Sequence, residues 1–161
     1  MRASLALALL LAGCGRSPDQ PAAANAGAAL EQAAIARGIV ADPAKVDPVG
    51  LYGSESDKVC VVPADDGYRI GAAVDYGEGQ GCFATGTASG RDTLAVRFGD
   101  ACRLEVRVEG DRVTFPATIP AGCDRFCTGR ASLAAVTADR ISASATEAAS
   151  AVTAAGAKLC P

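Results

Sequence analysis

Alternation of apolar and polar residues with a period of two constrains the fold of this chain more than any other feature. It is clearest in residues 102–109, Cys-Arg-Leu-Glu-Val-Arg-Val-Glu, where the apolar side chains would share one face of a strand. Gly110-Asp111 follows as a tight-turn pair, and the apolar face resumes at Val113. This segment therefore predicts a β-hairpin.

Similar short segments recur at intervals of about ten residues, separated by turns rich in glycine and aspartate. The predicted strands are 51–55, 59–63, 68–75, 82–87, 93–98, 102–109, 112–117 and 131–138. Eight antiparallel strands can close into a barrel that side chains just fill. We therefore predict a mainly β fold, either an antiparallel up-and-down meander or an eight-stranded barrel.

Two short helices are predicted to flank the β region. Residues 28–37 are rich in helix formers and are followed by Gly38, a residue typical of helix ends. Near the other end of the chain, Ser144-Ala-Thr-Glu147 has the form of a capping box. We expect a helix from 145 to 154 that stops at Gly156.

The first 14 residues have the pattern of an export signal. Arg2 precedes an uncharged run of about ten residues, which is too short to span a bilayer. Leu11-Ala12-Gly13-Cys14 resembles the lipobox of bacterial lipoproteins. This resemblance implies cleavage before Cys14, lipid on its thiol and amine, and, with Gly15 next, an outer-membrane position facing the periplasm.

The predicted domain organisation follows from this signal. Residues 1–13 would be the signal peptide, and 14–27 a lipidated flexible tether without apolar periodicity. Residues 28–161 would form a single disulfide-rich β domain. Loss of the signal would remove only Arg2 from 15 basic residues, against 18 acidic ones. Such an acidic chain disfavours nucleic acid as a partner.

Six cysteines would remain once Cys14 carries lipid: Cys60, Cys82, Cys102, Cys123, Cys127 and Cys160. An even number of cysteines in an oxidising compartment indicates three disulfides. The alternative is a thiol metal site, because residues 123–127 share the Cys-x₃-Cys spacing of some exported copper-delivery proteins. Those proteins also use histidine, and this chain contains none. We therefore expect neither a metal nor a cofactor.

The pairing of these cysteines can be predicted in part. The hairpin around Gly110-Asp111 places residue 102 opposite residue 119 or so, which favours a bond between Cys102 and Cys123. Pairs of Cys82 with Cys127 and of Cys60 with Cys160 follow by elimination from 15 connectivities. Since alternate strands of a meander start at the same end, we expect all six cysteines at one pole of the barrel.

Few residues suggest catalysis. Without histidine, Ser-His-Asp and Cys-His mechanisms are disfavoured. Asp75 and Glu78, with Tyr76 between them in a glycine-rich run, are the best candidates for an acid-base pair, a Ca²⁺ site or a ligand site. The interpretation we favour is a solvated turn between two strands.

The aromatic residues Tyr52, Tyr68, Tyr76 and Phe83 could form a recognition surface. In a chain with only seven aromatic residues, we favour the alternative that they pack in the core.

The lipobox and the plan of strands and cysteines together resemble small periplasmic lipoproteins with an eight-stranded barrel, among them membrane-bound inhibitors of C-type lysozyme. The inhibitors' Ser-Gly-x-Gly motif has no clear counterpart, since residues 84–90 match it only loosely. The resemblance implies a non-catalytic module that binds a periplasmic protein or glycan, for example an inhibitor. The alternatives are an envelope enzyme that cleaves glycan or peptide through Asp75 and Glu78, and a small lipid carrier.

Overall fold

A computed structural model describes residues 20–37, 39, 40, 42 and 46–161. The predicted signal peptide and the predicted lipidation site Cys14 lie outside these residues. The chain divides into two units, 1–41 and 42–161. The second of these units begins at Asp42.

Helix α1 (Gln20–Ala36) belongs to the first unit. It begins eight residues before the predicted helix and so takes in residues 20–27 of the predicted tether. Alanine has the highest helix propensity, and five alanines lie between Gln20 and Ala29. This alanine content explains why the helix extends into a segment that lacks apolar periodicity.

The second unit is an eight-stranded antiparallel barrel, which confirms the predicted fold class. Its strands are β1 (Gly50–Gly53), β2 (Asp57–Ala64), β3 (Gly67–Asp75), β4 (Gly81–Gly90), β5 (Thr93–Arg97), β6 (Arg103–Glu109), β7 (Arg112–Thr114) and β9 (Thr137–Ser142). Neighbours follow chain order from β1 to β7, and β9 closes the ring between β7 and β1. The two-residue strand β8 (Cys127–Thr128) lies outside the ring and pairs with the start of β4.

Side chains fill the inside of the barrel. In β6 the three apolar residues are buried and the four charged ones are exposed, as the alternation predicts. Tyr52 and Phe115 are the largest of the fully buried side chains, and most of the other core residues are valine, leucine and alanine. A ring of eight strands leaves an interior of about this size, so the small side chains suit the architecture.

The last barrel strand differs from the prediction. A strand was expected at 131–138, but β9 begins at Thr137. Leu133 and Val136 are buried in the barrel core as residues of an irregular loop, in which Ala135 has a left-handed backbone with φ of 56°. Their apolar character therefore reflects filling of the barrel end and not a strand.

One end of the barrel, here called the stapled pole, is covered by the connection 115–136 between β7 and β9. Phe115 packs against Phe98 with ring centroids 6.4 Å apart, and Leu133 is fully buried. A 3₁₀ helix (Ala121–Phe126) in this connection carries Cys123. Bonds Cys102–Cys123 and Cys82–Cys127 join the connection to the barrel wall, and both pairs agree with the prediction.

The third disulfide, Cys60–Cys160, agrees in pairing but not in place. Cys60 lies in the middle of β2, where Val59 and Val61 point into the barrel. Cys60 belongs instead to a second buried cluster on the outer wall, together with Leu159 and Ala148. Cys60 faces outward because side chains of adjacent strand residues face opposite sides of a sheet. Its position in the middle of β2 also places it away from the barrel end, so only the other two disulfides, with four of the six cysteines, lie at the stapled pole.

The C-terminal helix α2 (Ala145–Ser150) packs over β2, and Ser144 caps it as predicted: the Glu147 backbone N–H donates to Ser144 Oγ at 3.3 Å. The other half of the predicted capping box does not form, because the Ser144 N–H donates to Ser142 Oγ at 3.0 Å and not to the Glu147 carboxylate. The helix ends at Ser150 and not at 154. The chain then becomes extended and doubles back, because Val152 pairs with Lys158 and the Leu159 N–H donates to Ala151 O. These bonds compete with continuation of the helix.

The opposite end, here called the arginine pole, is held by Arg140, whose side chain is only 12% exposed. Its Nη1 donates to Val49 O at 2.6 Å and its Nη2 to Asp47 O at 2.7 Å. Its Nε lies 2.9 Å from Asp111 Oδ1 as an ion pair, without the alignment of a hydrogen bond. The guanidinium also lies over the Tyr52 ring, 4.9 Å from its centroid.

Candidate functional site

The predicted ligand residues lie together in the turn that joins β3 to β4. Asp75 ends β3, and Tyr76 and Glu78 follow it in the turn; all three are exposed. The Gly77 N–H donates to Asp75 Oδ1 at 2.9 Å, and the Tyr76 N–H donates to Gln80 O at 2.9 Å. The turn is therefore ordered by its own hydrogen bonds.

The tip of this turn has an unusual backbone. Gln80 N–H donates to Gly77 O, and the two central residues Glu78 and Gly79 both have positive φ, 52° and 74°. These values fit a type I′ turn, which normally carries asparagine, aspartate or glycine at both positions. Glu78 is thus held in a conformation that its side chain disfavours.

A groove opens beside this turn, and we call it the tail groove. It has a volume of about 340 Å³ and lies between the β3–β4 hairpin, β8 and the tail segment 153–157. Its lining includes Ala73, Asp75, Gln80, Cys82, Phe83, Phe126, Thr128, Thr153, Ala154, Ala155 and Ala157. Apolar walls with a few polar groups, in this size range, are typical of ligand sites.

Two aromatic side chains are exposed at the tail groove or next to it. Phe83 lines the groove and is 39% exposed, and Tyr76 in the neighbouring turn is 58% exposed. Tyr52 is fully buried and Tyr68 packs against the barrel core. The prediction that these residues pack in the core is therefore right for Tyr52 and Tyr68 and wrong for Tyr76 and Phe83. Phe83 faces outward because the residues on either side of it in β4 face the barrel interior.

One wall of the tail groove is a small hairpin of the C-terminal tail. Thr153 N–H donates to Ala157 O, and Gly156 N–H donates to Thr153 O, each at 2.9 Å. The base of this hairpin sits on β3 at Gly71, where a Cβ would overlap Leu159 O. The Cys60–Cys160 bond then fixes the tail to β2, so this wall is held firmly.

Thr128 in β8 also lines the groove, and its side chain is hydrogen-bonded to the β3–β4 turn. Its hydroxyl donates to Gly79 O at 2.6 Å and accepts from the Gly81 N–H at 3.3 Å. The adjacent Cys127 is bonded to Cys82 at the start of β4. The β3–β4 turn is therefore anchored to the stapled pole by a covalent bond and by two hydrogen bonds.

Of the described residues that line the groove, Asp75 is the only charged one. Among the residues that the structure describes, no group of three or more Asp, Glu, Cys or His side chains is placed to hold a metal ion. The Ca²⁺ alternative for this turn thus has two carboxylates at most, whereas Ca²⁺ takes six to eight oxygen ligands.

Several residues of the tail groove were not predicted, namely Gln80, Thr128 and the tail segment 153–157. Thr153 and Asp75 are far apart in the chain, and only the folding back of the tail brings them to one groove. Two features of the sequence indicate this contact: the predicted Cys60–Cys160 bond, which requires the tail to fold back, and a glycine at position 71, where the tail backbone touches the strand.

Comparison with known protein families, with curated proteins and with solved structures found no match. Within the described part of the chain, no helix has both the length and the apolar character needed to cross a membrane.

Proposed function

We propose that this protein is a lipid-anchored component of the bacterial cell envelope that binds a periplasmic protein or glycan without catalysis. The observation that carries this proposal is the tail groove: an apolar, partly aromatic recess whose two walls are fixed by disulfides to a filled barrel. Binding surfaces on rigid scaffolds lose little conformational entropy when a partner docks.

The two alternative functions have less support. Asp75 and Glu78 come from one turn and both face solvent, whereas paired catalytic carboxylates flank the bond they cleave. A lipid carrier would need space inside the barrel for acyl chains, and the core side chains from Tyr52 to Phe115 occupy that space.

The anchor part of the proposal rests on the lipobox at Cys14 and is tested by fractionation. Cys14→Ser should shift the protein from the membrane fraction to the soluble fraction, or leave it unprocessed with its signal attached. The barrel should stay folded, because its unit begins at residue 42. A Cys14→Ser chain that is cleaved yet remains wholly in the membrane would refute lipidation at Cys14.

The binding part is tested by capture of a partner from periplasmic extract and of isolated cell-wall glycan, with the full mature protein as bait. Phe83→Ser should abolish saturable capture, because it removes the exposed aromatic wall of the tail groove. Ile141→Ser is the matched control, since Ile141 is also an exposed apolar strand residue but does not line the groove. Equal loss in both variants, or no saturable capture by the wild type, would overturn the proposal.

A further inference from the structure

The tail groove combines one negative charge with a long apolar wall. Asp75 Oδ1 accepts the Gly77 N–H, while Oδ2 has no hydrogen-bond donor among the described residues. That oxygen remains available to a ligand. Glu78, in the same turn, adds a second exposed carboxylate near the rim.

The rest of the lining suits an aliphatic chain with a flat polar head. The tail alanines Ala154, Ala155 and Ala157 line the groove together with Phe83. An arginine side chain has a matching distribution: its methylenes pack on apolar surface, and its guanidinium bonds a carboxylate and stacks on an aromatic ring. A lysine head lacks the planar geometry for both contacts.

We propose that the tail groove binds an arginine side chain presented by a basic partner protein, with the guanidinium on Asp75 and the methylenes against Phe83. This inference rests on the proposed binding function and names its partner chemistry. Charge favours a basic protein over a second copy of this chain, whose formal charge is −3. A neutral glycan can donate hydroxyl hydrogen bonds to Asp75 but forms no ion pair with it.

The test uses short peptides and the isotope-labelled mature protein, followed by nuclear magnetic resonance. The probe is acetyl-Gly-Leu-Arg-Leu-Gly-amide, and the same peptide with citrulline keeps the shape of arginine without its charge. The arginine peptide should shift the amide signals of Asp75, Gln80 and Phe83. The citrulline peptide should bind about tenfold more weakly, the loss expected when a charged hydrogen-bond partner becomes neutral.

Asp75→Asn should lower the affinity for the arginine peptide to that for the citrulline peptide. It keeps a side-chain oxygen that can accept the Gly77 N–H. Asp92→Asn is the matched control, because Asp92 Oδ1 also accepts a backbone N–H, that of Thr93, but does not line the groove. Binding should also weaken several-fold as salt is raised. Equal binding of the arginine and citrulline peptides, or shifts confined to other residues, would overturn the inference.

The two proposals fail in different ways. If Phe83→Ser abolishes partner capture but Asp75→Asn does not, and the arginine peptide does not bind, the binding function stands and the arginine chemistry is wrong. If the wild type captures no partner but the arginine peptide binds as described, the groove chemistry stands and the proposed function is wrong.

Discussion

The stapled pole and the arginine pole close the same barrel by different physical means. At the stapled pole, Phe115 and Leu133 fill the opening, and two disulfides hold the connection that carries them. At the arginine pole, the Arg140 guanidinium donates charged hydrogen bonds to the backbone carbonyls of Asp47 and Val49 and so holds this segment against the barrel. Apolar packing and covalent bonds do not depend on protonation, whereas a polar closure does. The tail groove borders the stapled pole, whose closure depends less on pH than that of the arginine pole.

The largest expected effect comes from opening the stapled pole. Replacing Cys102 and Cys123 together by alanine should lower the free energy of unfolding by about 3 kcal/mol, because the bond closes a loop with a sequence separation of 21. Urea denaturation of the oxidised wild type and of the double variant measures this loss. The double variant should be equally destabilised at neutral and alkaline pH. A loss well under 1 kcal/mol would mean that apolar packing alone closes this pole.

The arginine pole should weaken at high pH, because burial raises the pKa of Tyr52 to about 12, opposed by the nearby positive charge of Arg140. The ordinary pKa of a tyrosine, which applies to the unfolded chain, is 10.0. The fold thus favours the neutral phenol, whose hydroxyl donates to Pro48 O at 2.8 Å. This contribution is fully present below pH 10 and is lost as the pH rises from 10 to 12. A shift of this size corresponds to about 2 to 3 kcal/mol.

Urea midpoints measured across this pH range test the Tyr52 prediction. Tyr52→Phe is the control: it should be slightly less stable at neutral pH, through loss of the hydroxyl hydrogen bond, and should lack the Tyr52 part of the alkaline decline. If wild type and Tyr52→Phe decline in parallel, the phenol of Tyr52 does not link stability to pH.

A smaller loss, about 2 kcal/mol, is expected for Arg140→Lys. A lysine ammonium keeps the charge but cannot reach Val49 O, Asp47 O and the Asp111 carboxylate with the planar fork of a guanidinium. Denaturation gives the loss, and hydrogen exchange should show faster opening near Gly110 than near Cys123. Uniform exchange changes at both poles would contradict a local role for Arg140.

The sequence predicted those parts of the fold that depend on local pattern. Alternation located β6 and its hairpin partner, and the register of that hairpin was enough to predict the Cys102–Cys123 bond. The same alternation wrongly predicted a strand at 131–138. An apolar residue such as Leu133 gives the same pattern whether it lies in a strand or in a loop that fills the barrel end. Both placements bury the side chain, but they require different backbones.

The tail groove was predicted only at the turn containing Asp75, Tyr76 and Glu78. Its other wall is formed by the C-terminal tail. The tail leaves α2 after Ser150, turns at Gly156 and packs against Gly71. None of these contacts is local, so no periodicity reports them. The exposure of Phe83 was missed for a related reason: composition favoured burial, whereas its position in β4, between two inward-facing residues, requires the outer face.

The smallest expected effect is a gain in stability and not a loss. It follows from a comparison of two turns, one near each pole. In the β6–β7 turn at the arginine pole, the first central residue is Gly110, with φ of 59°. In the β3–β4 turn at the tail groove, the equivalent position holds Glu78, with φ of 52°. Glycine adopts a positive φ without steric cost, whereas glutamate does not.

Glu78→Asn should therefore stabilise the protein by about 0.5 to 1 kcal/mol, since asparagine tolerates the left-handed region better than other side chains do. Glu78→Gln is the matched control, because it removes the same charge without changing the backbone preference, and it should leave the urea midpoint unchanged. If Gln stabilises as much as Asn, the gain comes from removing a negative charge beside Asp75 and not from relief of backbone strain. If only Asn stabilises, the turn beside the tail groove keeps a residue that costs stability, as binding sites commonly do.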